Sequence, residues 1–228
     1  MLRNLQTTWT EQTQKLQLVL EELAQLRVEI SSWKKEGQEV NQAALKLALE
    51  TYLERYDWAL KSSGAVIDMQ RTSKTYDCKD NWVCKVVWFF HTFNPPDTIL
   101  KPDVSPGNCW PLQGEQGQVV IRLPARVHLT AVSVQHIYKE VSPSGTVTSA
   151  PRDMAVFGLN ADREEETLLG MFEYNVAKDA LQTFPLKNTH RAFSHIKLVV
   201  KSNWGYPDYT CIYRVQAHGK MAEPENLN

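Results

Sequence analysis

The sequence predicts a mainly β protein, an antiparallel β-sandwich preceded by an α-helical coiled-coil stalk, and three observations carry that reading. Apolar residues recur at alternating three- and four-residue spacing across residues 2–33. Beyond Gly64 the pattern changes to short runs rich in Val, Ile, Leu and aromatics, punctuated by Gly, Pro, Asn and Ser. Little helical periodicity lies between those runs, which favours antiparallel pairing over alternating βα units.

The stalk comes first. Leu2, Leu5, Trp9, Gln12, Leu16, Val19, Leu23, Leu26, Ile30 and Trp33 form an a/d seam in which only Gln12 is polar. A straight helix drifts off a strict 3.5-residue repeat within a few turns, so a seam of this length implies supercoiling with other copies. With Leu2 at position a, Glu22 falls at g and Arg27 at the next e, the pairing used by parallel strands. Trp9 and Trp33 in the seam argue against a tight dimeric zipper. The stretch Lys34-Lys35-Glu36-Gly37 predicts a helix stop at Gly37. A second helix over residues 38–60 follows, with Leu45, Leu49, Tyr52, Tyr56 and Ala59 on one face. Two helices separated in this way extend as a rod or fold back as a bundle.

Strands are predicted at residues 118–123, 129–137, 154–159, 168–174, 195–200 and 211–217. Turns or loops are expected at Ser142-Pro143-Ser144-Gly145, at residues 160–166 and at Asn203-Trp204-Gly205-Tyr206-Pro207. The aromatic run Trp82, Trp88, Phe89, Phe90 and Phe93, ahead of Asn94-Pro95-Pro96, has two readings. It is a core strand, or a hairpin whose apolar face meets a partner.

Composition narrows the function. A formal net charge of −1 over 228 residues lacks the basic excess that nucleic acid or anionic lipid demands. No run of eighteen apolar residues spans a bilayer, and Met1-Leu2-Arg3-Asn4-Leu5-Gln6 lacks the apolar region of a signal peptide. The chain is thus a soluble protein or part of one whose anchor lies upstream. No nucleophile elbow, zinc-protease helix or phosphate loop is present. His190 and His195 are spaced for neither a helix face nor a strand face, so they read as loop or surface histidines. Glu164-Glu165-Glu166 reads as a solvated loop, without the alternating carboxylates of a calcium loop. Cys78, Cys84, Cys109 and Cys211 make no zinc pattern and leave free thiols and disulfides both open. The chain is not expected to be an enzyme.

Several motifs in register resemble the SUN domain. They are Pro106-Gly107-Asn108-Cys109-Trp110, Ser149-Ala150-Pro151-Arg152-Asp153, Ser202-Asn203-Trp204-Gly205, Tyr209-Thr210-Cys211-Ile212-Tyr213-Arg214 and Ala217-His218-Gly219. Asp57-Trp58-Ala59-Leu60-Lys61-Ser62 and Gln118-Val119-Val120-Ile121 are similar to the sperm-type members, which implies a role in spermatogenesis. The resemblance implies a stalk over residues 1–60, a SUN domain over 61–220 and a tail over 221–228. It further implies a homotrimer at the inner nuclear membrane, with this region in the perinuclear space. There it would bind the C-terminal tails of KASH proteins, as part of the LINC complex that links nucleus to cytoskeleton. The aromatic run maps to the family's KASH lid, about residues 76–95, which selects the hairpin reading and places Trp82, Trp88 and Phe90 against the partner strand.

Ser149, Tyr209, Tyr213 and His136 match the family residues that receive the end of the KASH tail. Cys109 and Cys211 match its intradomain disulfide, in keeping with an oxidising compartment. Asp103 and Asn108 lie in a loop that resembles the family's site for a monovalent cation, K+ or Na+, held mainly by backbone carbonyls. Thr72 stands where some members carry a cysteine that bonds covalently to KASH, Pro111-Leu112 replaces an Ala-aromatic pair, and Tyr206 replaces a common histidine. A fold-back of the second helix that holds the lid closed in a monomer is the alternative to the trimer. A secreted lectin-like sandwich that binds carbohydrate through the aromatic loop is the alternative function.

Overall fold

The computed structural model describes residues 2–77, 94–160, 163–187 and 190–222. Two compact units divide the chain, Met1–Tyr52 and Leu53–Asn228. A single helix, α1 (Leu2–Arg55), makes up the first and ends within the opening residues of the second. It runs unbroken through Gly37, contrary to the stop expected there. A glycine inside a helix costs only about 1 kcal/mol relative to alanine, and Lys34, Lys35, Glu36 and Gln38 around it favour helix. Gly37 also keeps a negative φ, whereas the glycines of the chain that sit at positive φ all lie beyond residue 60. The heptad phase therefore carries on through Gly37 to Val40. Without the break, the observation behind a folded-back monomer disappears. Leu23, Leu26, Ile30, Trp33 and Val40 on this seam are each more than half exposed.

The expected second helix reaches only to Arg55, because residues 56–59 are bound to the last strand of the second unit. That unit contains β1 (Val66–Ile67), β2 (Trp110–Gln113), β3 (Gly117–Gln135), β4 (Asp153–Asn160), β5 (Arg163–Glu173), β6 (Leu181–Pro185), β7 (Phe193–Val200), β8 (Tyr209–Ile212) and β9 (Arg214–Met221). All pairings between these strands are antiparallel. The path β1-β3-β7-β4-β5 forms one run, while β6 and β9 flank the far half of β3, and β2 pairs with β8 separately.

β3 merges the two strands expected at 118–123 and 129–137. Its first half lies between β1 and β7, and its second half between β6 and β9. The register against β7 shifts between Arg122 and Val127, around Pro124, which has no N–H to donate to a ladder. One long strand, its ladder interrupted at a proline, thus pairs with four others. Between the layers of the sandwich lie Trp110, Ile121, Val132, Met154, Leu169, Phe193, Ile196, Leu198 and Ile212, each almost inaccessible to solvent. Gly158 of β4 lies flat on the Phe193 ring, where a Cβ would come within 2.6 Å of ring carbons.

The loop expected over 160–166 is shorter than predicted. β5 begins at Arg163, and the hairpin closes with Asn160 opposite Arg163. Glu165 and Glu166 lie on this strand, with Arg191 beside Glu165 and Lys197 beside Glu166. Lys197 reaches Glu166 from β7 across the intervening β4, and Arg191 reaches Glu165 from just ahead of β7, so both carboxylates are matched by cations in the extended form. His190 is exposed, as read from the sequence. His195 is not at the surface: it is buried in β7, its Nδ1 2.9 Å from Ser194 Oγ, with its pKa lowered chiefly by burial.

The residues that open the second unit form a strap over β9. Trp58 N donates to Ala217 O at 2.8 Å and Trp58 Nε1 donates to Gly219 O at 2.9 Å. Asp57 pairs with Arg214 at 2.9 Å, and both side chains are largely buried. The Asp57 carboxylate also accepts from the backbone N–H groups of Ala59 and Ala217.

Candidate functional site

A cavity of about 350 Å³ opens beside the β2–β8 pair. Tyr209, Cys211 and Tyr213 alternate along one extended stretch, so their side chains share a face, and that face forms one wall. Cys109, just ahead of β2, is disulfide-bonded to Cys211, with Cα atoms 5.6 Å apart. Around the sulfurs Tyr213, Tyr209, Val104 and Ile137 pack into a small cluster separate from the main core. This bridge fastens the 101–109 loop to the cavity wall.

Ser149 comes from the loop before β4, which is drawn in by Cys211 N donating to Ser149 O at 2.8 Å. Ser142, Ser144 and Thr146 bring further hydroxyls to the same rim. His136 follows the end of β3, where its own N–H donates to Ala180 O. Its ring is 3% exposed and stands edge-on to Tyr213, centroids 4.9 Å apart. The Ile137 carbonyl lies 3.0 Å from Nδ1, so Nδ1 carries the proton. Nε2 is left buried with no hydrogen-bond partner among the described residues.

Tyr213 is a donor in waiting. Gly107 N–H donates to the Tyr213 oxygen at 3.1 Å, which leaves the hydroxyl proton of Tyr213 free to point at a ligand. Burial pushes the Tyr213 pKa up, with the Gly107 bond opposing it, so the hydroxyl stays protonated near neutrality. Tyr209 is pushed up to about 12, first by burial and then by its neighbour Tyr206, whose ring packs edge-on to it at 4.6 Å. Burial lowers the His136 pKa, opposed by the Ile137 carbonyl. Neutral donors of this kind receive a carboxylate without a fixed buried ion pair. No Asp, Glu, Lys or Arg lines the cavity among the described residues.

The structure thus brings together Ser149, Tyr209, Tyr213, His136, Cys109 and Cys211 in one place. Trp82, Trp88 and Phe90, with Cys78 and Cys84, lie outside the described residues. Asp103 and Asn108 act as struts of the 101–109 loop. The exposed Asp103 carboxylate accepts from Ser105 N and Oγ, the Oγ bond being the chief reason its pKa is lowered. Asn108 Nδ2 donates to Asp103 O at 3.1 Å. Backbone carbonyls of the loop are oxygen donors of the kind a hard cation takes, although those of Asp103, Ser105, Gly107 and Cys109 already accept hydrogen bonds.

Sequence reasoning missed Asn94. Its Nδ2 donates to Gly107 O and to Cys109 O, 3.2 Å each, and it lines the cavity. Placed before two prolines it carries only a turn signal, and nothing local tells of a loop that reaches it from residues 107–109. Thr72 accepts from Val120 N at 3.1 Å, a bond a thiol makes poorly.

An antiparallel β-sandwich with a polar cavity walled by a disulfide and two tyrosines is the class these features define. The chain belongs to the Sad1/UNC-like (SUN) family, matching the Sad1 / UNC-like C-terminal domain over residues 89–221. It is 44% identical over 212 residues to sperm-associated antigen 4 protein of Rattus norvegicus, covering 91% of this chain and 48% of that protein. It is 42% identical over 193 residues to SUN domain-containing protein 5 of Homo sapiens, covering 82% and 50%. SUN domain-containing protein 2 of Mus musculus is 42% identical over 186 residues, covering 78% of this chain and 25% of that protein. The chain spans about half the length of the first two relatives and a quarter of the third.

Among solved structures, a putative chitobiase fragment from Bacteroides thetaiotaomicron superposes with a TM-score of 0.53 at 11% identity, covering 71% of this chain and 92% of that one. The family 32 carbohydrate-binding module of Streptococcus pneumoniae EndoD gives 0.51 at 15% identity, covering 72% and 100%. At such identities the likeness is one of fold alone.

Proposed function

We propose that this chain is a nuclear-envelope tether whose cavity receives the C-terminal end of a KASH-type tail. The observation that carries the reading is the set of hydroxyl groups around one cavity, above all the Tyr213 hydroxyl, whose oxygen is already occupied by Gly107 and whose proton is free. A C-terminal carboxylate accepts bonds and donates none, so it complements such a wall. The rest of the tail would run as an added strand along the segment over about 76–95, against Trp82, Trp88 and Phe90.

The exposed seam of α1 would assemble three copies as a parallel coiled coil. Three linked cavities would hold partners far more tightly than one, which is how a modest peptide interaction sustains tension between membranes. The domain would face the perinuclear space from the inner nuclear membrane, an oxidising setting in which Cys109–Cys211 persists. The 101–109 loop would hold a monovalent cation, K+ or Na+, by its carbonyls, with Asp103 and Asn108 keeping the loop in shape. The cation would supply charge that offsets the dipoles of those carbonyls.

Sedimentation of the full chain with and without a synthetic KASH C-terminal peptide tests this reading. A trimer that takes up peptide, with Ser149→Ala/Tyr213→Phe weakening uptake at least tenfold, is the expected result. A chain that stays monomeric and ignores the peptide overturns it.

A further inference from the structure

The cavity holds one group whose protonation the tether reading leaves open. His136 is 3% exposed, yet its Nε2 has no hydrogen-bond partner among the described residues. The tautomer follows from geometry: the Ile137 carbonyl accepts from Nδ1, so neutral His136 presents a bare lone pair at Nε2. That lone pair cannot welcome a carboxylate, which is itself only an acceptor. A proton on Nε2 turns the misfit into attraction.

We propose that entry of a peptide carboxylate into this cavity draws one proton from solvent onto His136 Nε2, so that peptide capture is coupled to proton uptake. This rests on the cavity's role in receiving a carboxylate-ended tail. The proton comes from the solvent, the only bond formed is N–H, and no other group changes its chemistry.

The surroundings make His136 the group that responds. Tyr213 faces it from the stretch between β8 and β9, and Tyr209 lies across the cavity on β8. Tyr174, which follows β5, donates to Ala180 O, the carbonyl that also receives His136 N–H, and Tyr138 lies two residues along the chain. All four are phenols, and Tyr209 and Tyr174 are held at about 12, far above neutrality. Cys109 and Cys211 are joined and do not titrate. With no Asp, Glu, Lys or Arg lining the cavity among the described residues, nothing fixed there compensates a carboxylate. In the free protein, burial keeps His136 neutral. An anion a few ångströms away favours the imidazolium, and low-dielectric surroundings strengthen that pull.

The sign is definite. The bound state holds more protons than the free state, so affinity rises as pH falls through the interval between the two His136 pKa values. The slope cannot exceed tenfold per pH unit for one proton. The response falls in the range where histidine alone among ordinary side chains titrates.

The test uses an N-acetylated, histidine-free KASH C-terminal peptide in free-acid and C-terminally amidated forms. Titration calorimetry on the full chain runs between pH 8 and pH 6, in two buffers with different heats of ionisation. The free-acid peptide should tighten several-fold across this range with net uptake approaching one proton. The amide, and the His136→Gln variant with the free acid, should show neither effect. Binding of the free acid that is flat with pH and takes up no proton overturns the proposal while leaving the tether reading intact. A slope that survives in His136→Gln also overturns it, by assigning the proton elsewhere. No binding at any pH overturns both. Should His136→Gln fail to fold, the proton count on the native chain still decides.

Discussion

Replacing both Cys109 and Cys211 with serine should remove a large part of the domain's stability. The bridge spans 102 residues of sequence, so its loss frees almost half the chain in the unfolded state. The chain-entropy relation gives about 4.7 kcal/mol at 25 °C for a loop of this length. Serine is close in size to cysteine and both sites are nearly inaccessible, so little cavity cost is added. With a urea dependence of about 2 kcal/mol per molar, the midpoint should drop by just over ~2 M. Urea titration of native and variant chains, followed by near-UV circular dichroism, measures this directly. A shift below about 0.5 M at unchanged slope would refute the reasoning, because it would mean that the unfolded chain is already confined without the bond.

Two further outcomes follow from other parts of the domain. Asp57→Ala strips Arg214 of its partner and leaves a mostly buried cation, so it should destabilise by about 3–5 kcal/mol in chemical denaturation. Adding Arg214→Met should restore much of that loss, and an equal loss in the double variant would show that the carboxylate matters only through its backbone bonds. Stability should also fall on acidification. His136 and His195 both have folded-state pKa values depressed by burial, so the unfolded chain binds more protons once pH drops below about 6.5. The stability they contribute is full above that value and is lost as pH falls toward their folded values. Thermal unfolding between pH 8 and pH 5 reads this, and a flat profile would contradict it.

How much was legible in the sequence depended on the range of the interaction. Strands such as β4 and β7 announce themselves through runs of buried residues, and they lie close to where periodicity placed them. β1 is two residues long, and β6 presents alternating exposed and half-buried residues, so neither carries a pattern strong enough to read. Gly37 misled because a glycine's preference is weak beside the helix-forming residues around it. Glu164-Glu165-Glu166 misled because charge suggests a loop, whereas Arg191 and Lys197, far along the chain, hold Glu165 and Glu166 in a strand.

At the site, Tyr209 and Tyr213 could be named from their motif, and their alternation even hinted at a shared face. The orphaned Nε2 of His136 could not. It arises from the Ile137 carbonyl, the Tyr213 ring and the depth of the cavity together, none of which is a property of His136 alone. The same holds for Asn94, whose two bonds go to residues of another loop.

The strap of residues 56–59 has a mechanical meaning. Its anchors are Arg214, Gln216, Ala217 and Gly219, all on β9, and Arg214 is joined by one peptide bond to Tyr213 in the cavity. A pull on the chain ahead of Tyr56 therefore reaches the cavity wall through a single short length of backbone. That length belongs to β9, which is laddered to β3 and buries Val215 and Ala217 in the core. A load on the strap is therefore shared at once between the cavity wall and the β3–β9 ladder, so the site and the packed interior feel the same pull.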